Sequence, residues 1–410
     1  MASKSKRARQ AAAKAKTKSA WLVIIWALVA AFAGYLQNRY GQFSDIRGFY
    51  GMRFMDGQHH WPYESYTPLG GSGPLQPVEY PAITGVAIWL LTFITPASGI
   101  PLLNYFGINA LIHAVFFAAT GYYIKKLTHN STAYLFVLAP ACFMALNLNW
   151  DMWAVLPMVA SIYYFEKEKR TVSSILLGIA IAAKFFPLVL LLPIGIYFLK
   201  GKQIKNGLKY LGVAFCTWIA FNLPVMLISF DGWKYFYTFS FNRGLGDGSI
   251  YSVLAKLGLG QVYSNPLYYA LNITLFGLLI FFLLKSKINL SLAQTTFFTM
   301  FCFTYFGKQY SMQYVLWLAP LAVLAIASLP KKYIMPATYI YGAWQGAELL
   351  FRITYFQNWV TNLSASRGTP VGNPVTDHVY ASIAIARYAT FALLYLYLIQ
   401  KLRSDIDSTG

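Results

Sequence analysis

Residues 172–199 read VSSILLGIAIAAKFFPLVLLLPIGIYFL, an apolar run of 28 residues whose one charge is Lys184, with Lys167, Lys169 and Arg170 before it and Lys200 after it. A bilayer span needs about 20 apolar residues, and short cytoplasmic loops collect Lys and Arg. With basic clusters on both flanks, the run must enter the membrane and return to the side it came from. Each arm has room for about 13–15 residues, or about 20 Å of helix, against a hydrocarbon core of about 30 Å. The stretch therefore reads as a helical hairpin with Lys184 and Pro187 near a tip that lies below the outer surface.

The rest of the chain fits that solvent. It is 57% hydrophobic and only 11% charged, a balance that would cover a soluble protein with apolar surface. A net charge of +20 could suggest nucleic acid, but its distribution excludes that reading. The cations bracket apolar runs: residues 1–20, Lys125/Lys126, Lys167/Lys169/Arg170, Lys200–Lys209, Lys285/Lys287, Lys331/Lys332 and Lys401/Arg403. The first cluster, seven Lys/Arg ahead of Trp21, reads as a cytoplasmic anchor facing anionic lipid rather than a cleaved signal. Cys142, Cys216 and Cys302 all fall inside apolar runs and read as packing residues.

Parity between the basic loops gives an all-α, polytopic membrane protein of about twelve transmembrane helices with extracytoplasmic interfacial helices. Ser19–Leu36 exits and Leu103–Ile124 returns, which leaves Pro81–Pro96 as an interfacial or re-entrant helix. Thr132–Leu148, Trp150–Phe165, the two hairpin arms, Leu208–Ser229, Pro266–Leu284, Leu290–Phe306, Gln313–Ser328, Ile334–Leu350 and Ala381–Gln400 complete the set. The expected organisation is a basic cytoplasmic tail at 1–18, a transmembrane domain at 19–403 and a cytoplasmic tail at 404–410. Both termini are expected in the cytoplasm, with segments 37–102, 230–265 and 351–380 facing outward.

Most of the acids fall on those outer segments or on outer helix ends. Asp45 follows the first helix and lies near the bilayer surface, where a carboxylate can serve as general base or pair with Arg47 or Arg53. Glu79-Tyr80-Pro81 opens the interfacial helix. Asn149-Trp150-Asp151 joins two spans at the outer face and puts Asp151 near the Lys184 tip, for a structural hydrogen bond or a catalytic role. An intramembrane lysine is costly and marks a functional site unless it snorkels or is paired. Arg243, Asp247, Ser249, Lys308, Tyr310 and Gln313 add cations, amides and hydroxyls suited to a phosphate monoester. His59-His60 beside Asp56 and Glu64 fits no standard ligand spacing, so no metal is expected. Asp405-Ile406-Asp407 sits on the cytoplasmic tail and is set aside.

Taken in order, Ser44-Asp45-Ile46-Arg47-Gly48-Phe49-Tyr50, Val78-Glu79-Tyr80-Pro81, Asn149-Trp150-Asp151, Ala183-Lys184-Phe185-Phe186-Pro187, Asn242-Arg243 with Gly248-Ser249-Ile250-Tyr251, and Tyr310-Ser311-Met312-Gln313-Tyr314 with Trp317 and Pro320 resemble a known group. This is the GT-C type, polyprenol-phosphate-sugar-dependent glycosyltransferases, specifically family 87 with its mannosyltransferases. Two motifs depart from the family pattern, with Tyr80-Pro81-Ala82 where Tyr-Pro-Pro is usual and Ser311-Met312-Gln313 where Ser-Pro-Gln is usual.

The resemblance implies that Asp45 is the catalytic base. The expected partners are a polyprenyl-phosphate-sugar donor, a glycolipid or glycan acceptor and membrane lipid, with no cofactor and no nucleic acid. Lys184, Arg243, Lys308, Tyr310 and Gln313 are then expected to meet the donor phosphate, and Glu79, Tyr80, Asn149, Asp151, Asp247 and Ser249 to line the substrate site. The expected reaction is an inverting hexose transfer, with mannose implied by the resemblance, at the outer face of the plasma membrane. The alternative is a transporter or flippase of lipid-linked sugars. Against it stand outer loops of unequal length and no convincing internal repeat.

Overall fold

The fold is taken from a computed structural model, which describes residues 2–41, 50–51, 53–54, 59–64, 76–128, 131–260, 262–285, 290–369 and 371–407, with side chains from 19 to 401. Asp45 therefore lies outside the described residues. Every regular element of any length among those residues is helical.

Helix α1 (Ala2–Leu36) ends in a π-helical turn, Gln37–Gly41. The interfacial helix α2 (Ala82–Phe93) precedes the long α3 (Pro101–Thr128). The segment expected as one span over Thr132–Leu148 is two short helices, α4 (Ala133–Val137) and α5 (Pro140–Ala145). Pro140 is the cause: it has no N–H, and it drives Ala139 to an extended conformation (φ −69°, ψ 115°), which breaks the ladder.

Helices α6 (Met152–Glu166) and α7 (Arg170–Ala183) follow; a 3-10 turn (Phe186–Leu190) then leads into α8 (Leu191–Lys200). Helix α7 has 14 residues, about 21 Å. It stops at Lys184, whose backbone is extended (φ −156°, ψ 147°), and Pro187 opens the returning turn. The hairpin with Lys184 at its tip is thus present. Thr84 of α2 donates to the Ala183 carbonyl at 2.6 Å, which lays the interfacial helix across that tip.

The second half comprises α9 (Ile204–Ile228), α10 (Phe230–Asn242), α11 (Ile250–Leu254), α12 (Asn265–Lys285), α13 (Leu292–Tyr305), α14 (Val315–Ala327), α15 (Lys331–Ser366) and α16 (Asp377–Asp407). Helix α15 runs 36 residues without a break, about 54 Å. It carries the expected span at Ile334–Leu350 on through residue 366, so much of the segment 351–380, expected as an outward loop, is helix. Among the described residues, the spans Ser19–Gly41, Pro101–Thr128, Ile204–Ile228, Asn265–Lys285 and Asp377–Lys401 are each long and apolar enough to cross a bilayer, and shorter apolar helices pack between them. The chain is an all-α polytopic membrane protein.

Close backbone approaches hold the bundle together, as small residues allow in lipid. A Cβ on Gly34 of α1 would lie 2.1 Å from the Phe143 carbonyl oxygen. Gly34→Val is therefore expected to push α1 off α5 and cost about 1–3 kcal/mol. Unfolding in mixed micelles would show it as a lowered midpoint, and an unchanged midpoint would mean that the two helices are not in close contact.

Candidate functional site

The N-terminal ends of α6 and α14 and the C-terminal end of α7 meet at Asp151. This carboxylate is fully buried, and its Oδ1 accepts from Lys184 Nζ at 2.8 Å and from the Trp317 indole Nε1 at 2.6 Å. Its Oδ2 has no hydrogen-bond partner among the described residues. A buried carboxylate of this kind needs its cation, so Asp151 fixes where the Lys184 amine stands. Lys184 keeps 15% of its side-chain surface exposed, at the mouth of the site.

A second layer positions that pair. The Lys184 amine lies 5.3 Å from the Tyr80 ring centroid, and the Tyr80 hydroxyl donates to Asn149 Oδ1 at 2.8 Å. Burial, reinforced by the negative charge of Glu79, holds the Tyr80 phenol well above its usual pKa, so it remains a donor. Glu79 is ion-paired to the buried Arg53. Trp150 is buried, donates to Asn109 at 2.6 Å, and its ring meets that of Tyr50 at 5.0 Å.

Phe186, Trp317 and Tyr314 form a continuous stack, with centroids 4.0 and 3.6 Å apart. Tyr314 stands at the start of α14, so this stack runs from the Asp151 cluster to the loop before it, residues 307–311, which meets the loop at 243–249. Those loops are joined backbone to backbone. Gly246 N–H donates to the Lys308 carbonyl at 2.9 Å, and Gln309 Nε2 donates to the Gly244 carbonyl at 2.7 Å. Glycine is required at 248, where a Cβ would sit 2.3 Å from the Tyr310 carbonyl oxygen; at 246 a Cβ would sit 2.1 Å from the Gln309 side-chain amide, which can swing away.

The expected site residues thus divide. Glu79, Tyr80, Asn149, Asp151 and Lys184 form one contiguous cluster. Arg243 is exposed and Lys308 half-buried over the Tyr263 and Tyr268 rings, and neither forms an ion pair among the described residues. Ser249 caps α11, accepting from Ser252 N–H at 3.3 Å. Asp247 is exposed, and its carbonyl accepts from the Tyr380 hydroxyl at 2.9 Å. Gln313 is half-buried, whereas the Tyr310 hydroxyl is buried and committed to Glu348 at 2.8 Å. His59 stacks on Phe93 and bonds Thr92.

Sequence reasoning missed the buried pair Glu348–Arg387 beneath these loops, joined at 2.8 Å. Arg387 also donates to the carbonyls of Tyr310 at 2.8 Å and Ser311 at 3.2 Å. The signal was available: an arginine in the middle of an apolar helix.

The Lys184–Asp151 cluster and the loops bearing Arg243, Asp247 and Lys308 are thus separate groups, with no contact between Lys184 and either of the other two cations among the described residues.

Residues 79–307, more than half of the chain, match the sequence profile of Glycosyltransferase family 87. GPI mannosyltransferase 1 of Kluyveromyces lactis is 23% identical over 173 residues, which is 39% of this chain and 43% of that protein, so the match spans less than half of that relative. The crystal structure of ArnT from Cupriavidus metallidurans bound to undecaprenyl phosphate superposes with a TM-score of 0.49 at 15% identity, covering 93% of this chain and 78% of that one. On the extent of the profile match, the chain belongs to glycosyltransferase family 87.

Proposed function

We propose that the protein transfers a hexose, mannose, from a polyprenyl-phosphate-sugar donor to a glycolipid or glycan acceptor at the extracytoplasmic face of the plasma membrane, with inversion at the anomeric carbon. Asp45 takes the proton from the acceptor hydroxyl as that oxygen bonds to the anomeric carbon. The bond from that carbon to the phosphate oxygen breaks, and the polyprenyl phosphate leaves with the electron pair. Lys184, Arg243 and Lys308 meet its charge. The partial match to a protein named as a mannosyltransferase supports the choice of sugar.

The observation that carries this reading is the Lys184–Asp151 pair at the tip of a hairpin of less than full membrane height. A cation held there meets a lipid phosphate arriving sideways from the bilayer. Tyr50, five residues after Asp45, packs on Trp150, the neighbour of Asp151, which supports the choice of Asp45. Five residues of chain span at most about 18 Å.

Incubating the purified protein with polyprenyl-phosphate-mannose and a membrane extract of acceptors tests it. Lys184→Ala is expected to raise the donor KM about tenfold or more, the worth of a hydrogen bond to a charged group. The double variant Lys184→Ala/Asp151→Asn removes the buried orphan carboxylate, so its donor effect is read apart from misfolding. An unchanged donor KM in both variants would leave Lys184 structural. Movement of the donor lipid across the bilayer without sugar transfer would make the protein a transporter.

A further inference from the structure

The opposite end of the hairpin carries a feature that the transfer chemistry does not use. Between the starts of α7 and α9 lies a polar cavity of about 230 Å³, lined by Arg170, Thr171, Ser174, Asn206, Lys209 and Tyr210. It shares Lys209 and Val213 with a second hollow of about 550 Å³, an apolar groove along α9 bounded by Ile175, Gly212, Val213, Cys216, Thr217 and Ala220. The groove follows from the sequence. Gly212, Cys216 and Ala220 recur every four residues, so one ridge of α9 is made of small side chains where a helix facing lipid ordinarily carries large ones. Beneath it the backbones nearly touch: a Cβ on Gly178 of α7 would stand 2.5 Å from the Ala214 carbonyl oxygen.

The charge of the cavity sets its occupant. Glu168, also on its wall, is paired with Arg170 at 2.7 Å, and Arg170 lies 3.6 Å from the Phe165 ring centroid and bonds Tyr197. Those two charges cancel, which leaves Lys209 as the uncompensated cation on the wall, with the side chains of Gln203 and Asn206 beside it. We propose that cavity and groove together form a binding site for one anionic phospholipid. Its phosphate head sits against Lys209 in the polar cavity, and one acyl chain lies along the small-residue ridge of α9. A zwitterionic choline head would bring its own cation toward Lys209 and is disfavoured. By the distribution of basic loops this lipid belongs to the cytoplasmic leaflet, at the other end of α7 from Lys184. The inference does not depend on the sugar, the donor or Asp45.

The full chain in nanodiscs of phosphatidylcholine, with and without one-tenth phosphatidylglycerol, tests it with two readouts. Native mass spectrometry of the released protein is expected to retain one phosphatidylglycerol in preference to the abundant phosphatidylcholine. Cys216, exposed in the groove while Cys142 and Cys302 are buried, is expected to react more slowly with a maleimide when phosphatidylglycerol is present. Lys209→Gln should lower phosphatidylglycerol retention about fivefold, the contribution of one cation at an anionic surface. Gly212→Leu fills the groove and should abolish Cys216 protection; a Cβ there meets nothing within 4 Å, so the helix itself tolerates it. Equal retention of both lipids, or Lys209→Gln behaving as wild type, would overturn the site. Protection of Cys216 by inorganic phosphate alone would show a free-anion site and overturn the lipid assignment.

Discussion

Asp45→Asn is expected to lower the rate of sugar transfer about 10²–10⁴-fold, the usual contribution of a positioned general base, while donor affinity stays near wild type. Asparagine keeps the size of the side chain and its acceptor oxygen but cannot take up the acceptor proton. Asp45 itself lies outside the described residues, and buried residues stand on either side of it in the chain. Upstream, Asn38 is fully buried, donates to the Met144 carbonyl at 3.2 Å and accepts from Arg352 at 2.6 Å. Downstream, Tyr50 is fully buried against Tyr105, Phe106 and Trp150. Tyr50 thus stands against Trp150, the neighbour of Asp151, and this is the ground on which Asp45 is proposed as the base. Single-turnover transfer with donor in excess, alongside donor binding to the same preparation, separates chemistry from affinity. Turnover within a few-fold of wild type would remove Asp45 from the mechanism, and joint loss of binding and turnover would make it a structural loop residue.

What the sequence disclosed depended on how local the deciding physics was. The Lys184 hairpin was legible because basic residues on both sides of 172–199 fix the number of crossings, and Pro187 marks the turn. Asp151 beside Lys184 followed from the same count of crossings. The break at Pro140 is a local rule as well, but it lies inside an apolar run that hydropathy reads as one span. Helix α15 misled differently. Polarity rises after Leu350, which reads as a loop, yet the polar side chains have partners: Arg352 bonds Gln37 and Asn38, and Asn358 bonds the Val375 carbonyl and Asp377. A helix keeps its backbone bonds in any solvent, so a change in side-chain polarity need not end it. The commitment of the Tyr310 hydroxyl to Glu348 was beyond reach, because it depends on a contact 38 residues away in the chain.

Glu348→Leu is expected to destabilise the protein by about 3–5 kcal/mol, because it strands a buried guanidinium. Glu348 and Arg387 are both essentially inaccessible. Glu348 Oε1 accepts from the Tyr310 hydroxyl at 2.8 Å and the Trp344 indole at 3.0 Å, and Oε2 accepts from Arg387 Nε at 2.8 Å. The guanidinium carbon lies 3.4 Å and 4.1 Å from the Tyr310 and Phe351 ring centroids. Without the carboxylate, nothing nearby on the aromatic faces replaces that charge. Glu348→Leu/Arg387→Met removes both charges and should regain most of the loss, since buried ion pairs replaced by apolar residues are often neutral. Reversible unfolding of the wild type, both single variants and the double variant in mixed micelles closes the cycle. Activity should not recover in parallel. Arg387 holds the carbonyls of Tyr310 and Ser311, from which the chain runs into Tyr314 and its stack on Trp317, the indole donor to Asp151. A double variant that is stable but slow in turnover would mark this pair as the clamp that aims the loop. A stable double variant with wild-type turnover, or a single-variant cost below about 1 kcal/mol, would reduce the pair to a replaceable part of the bundle.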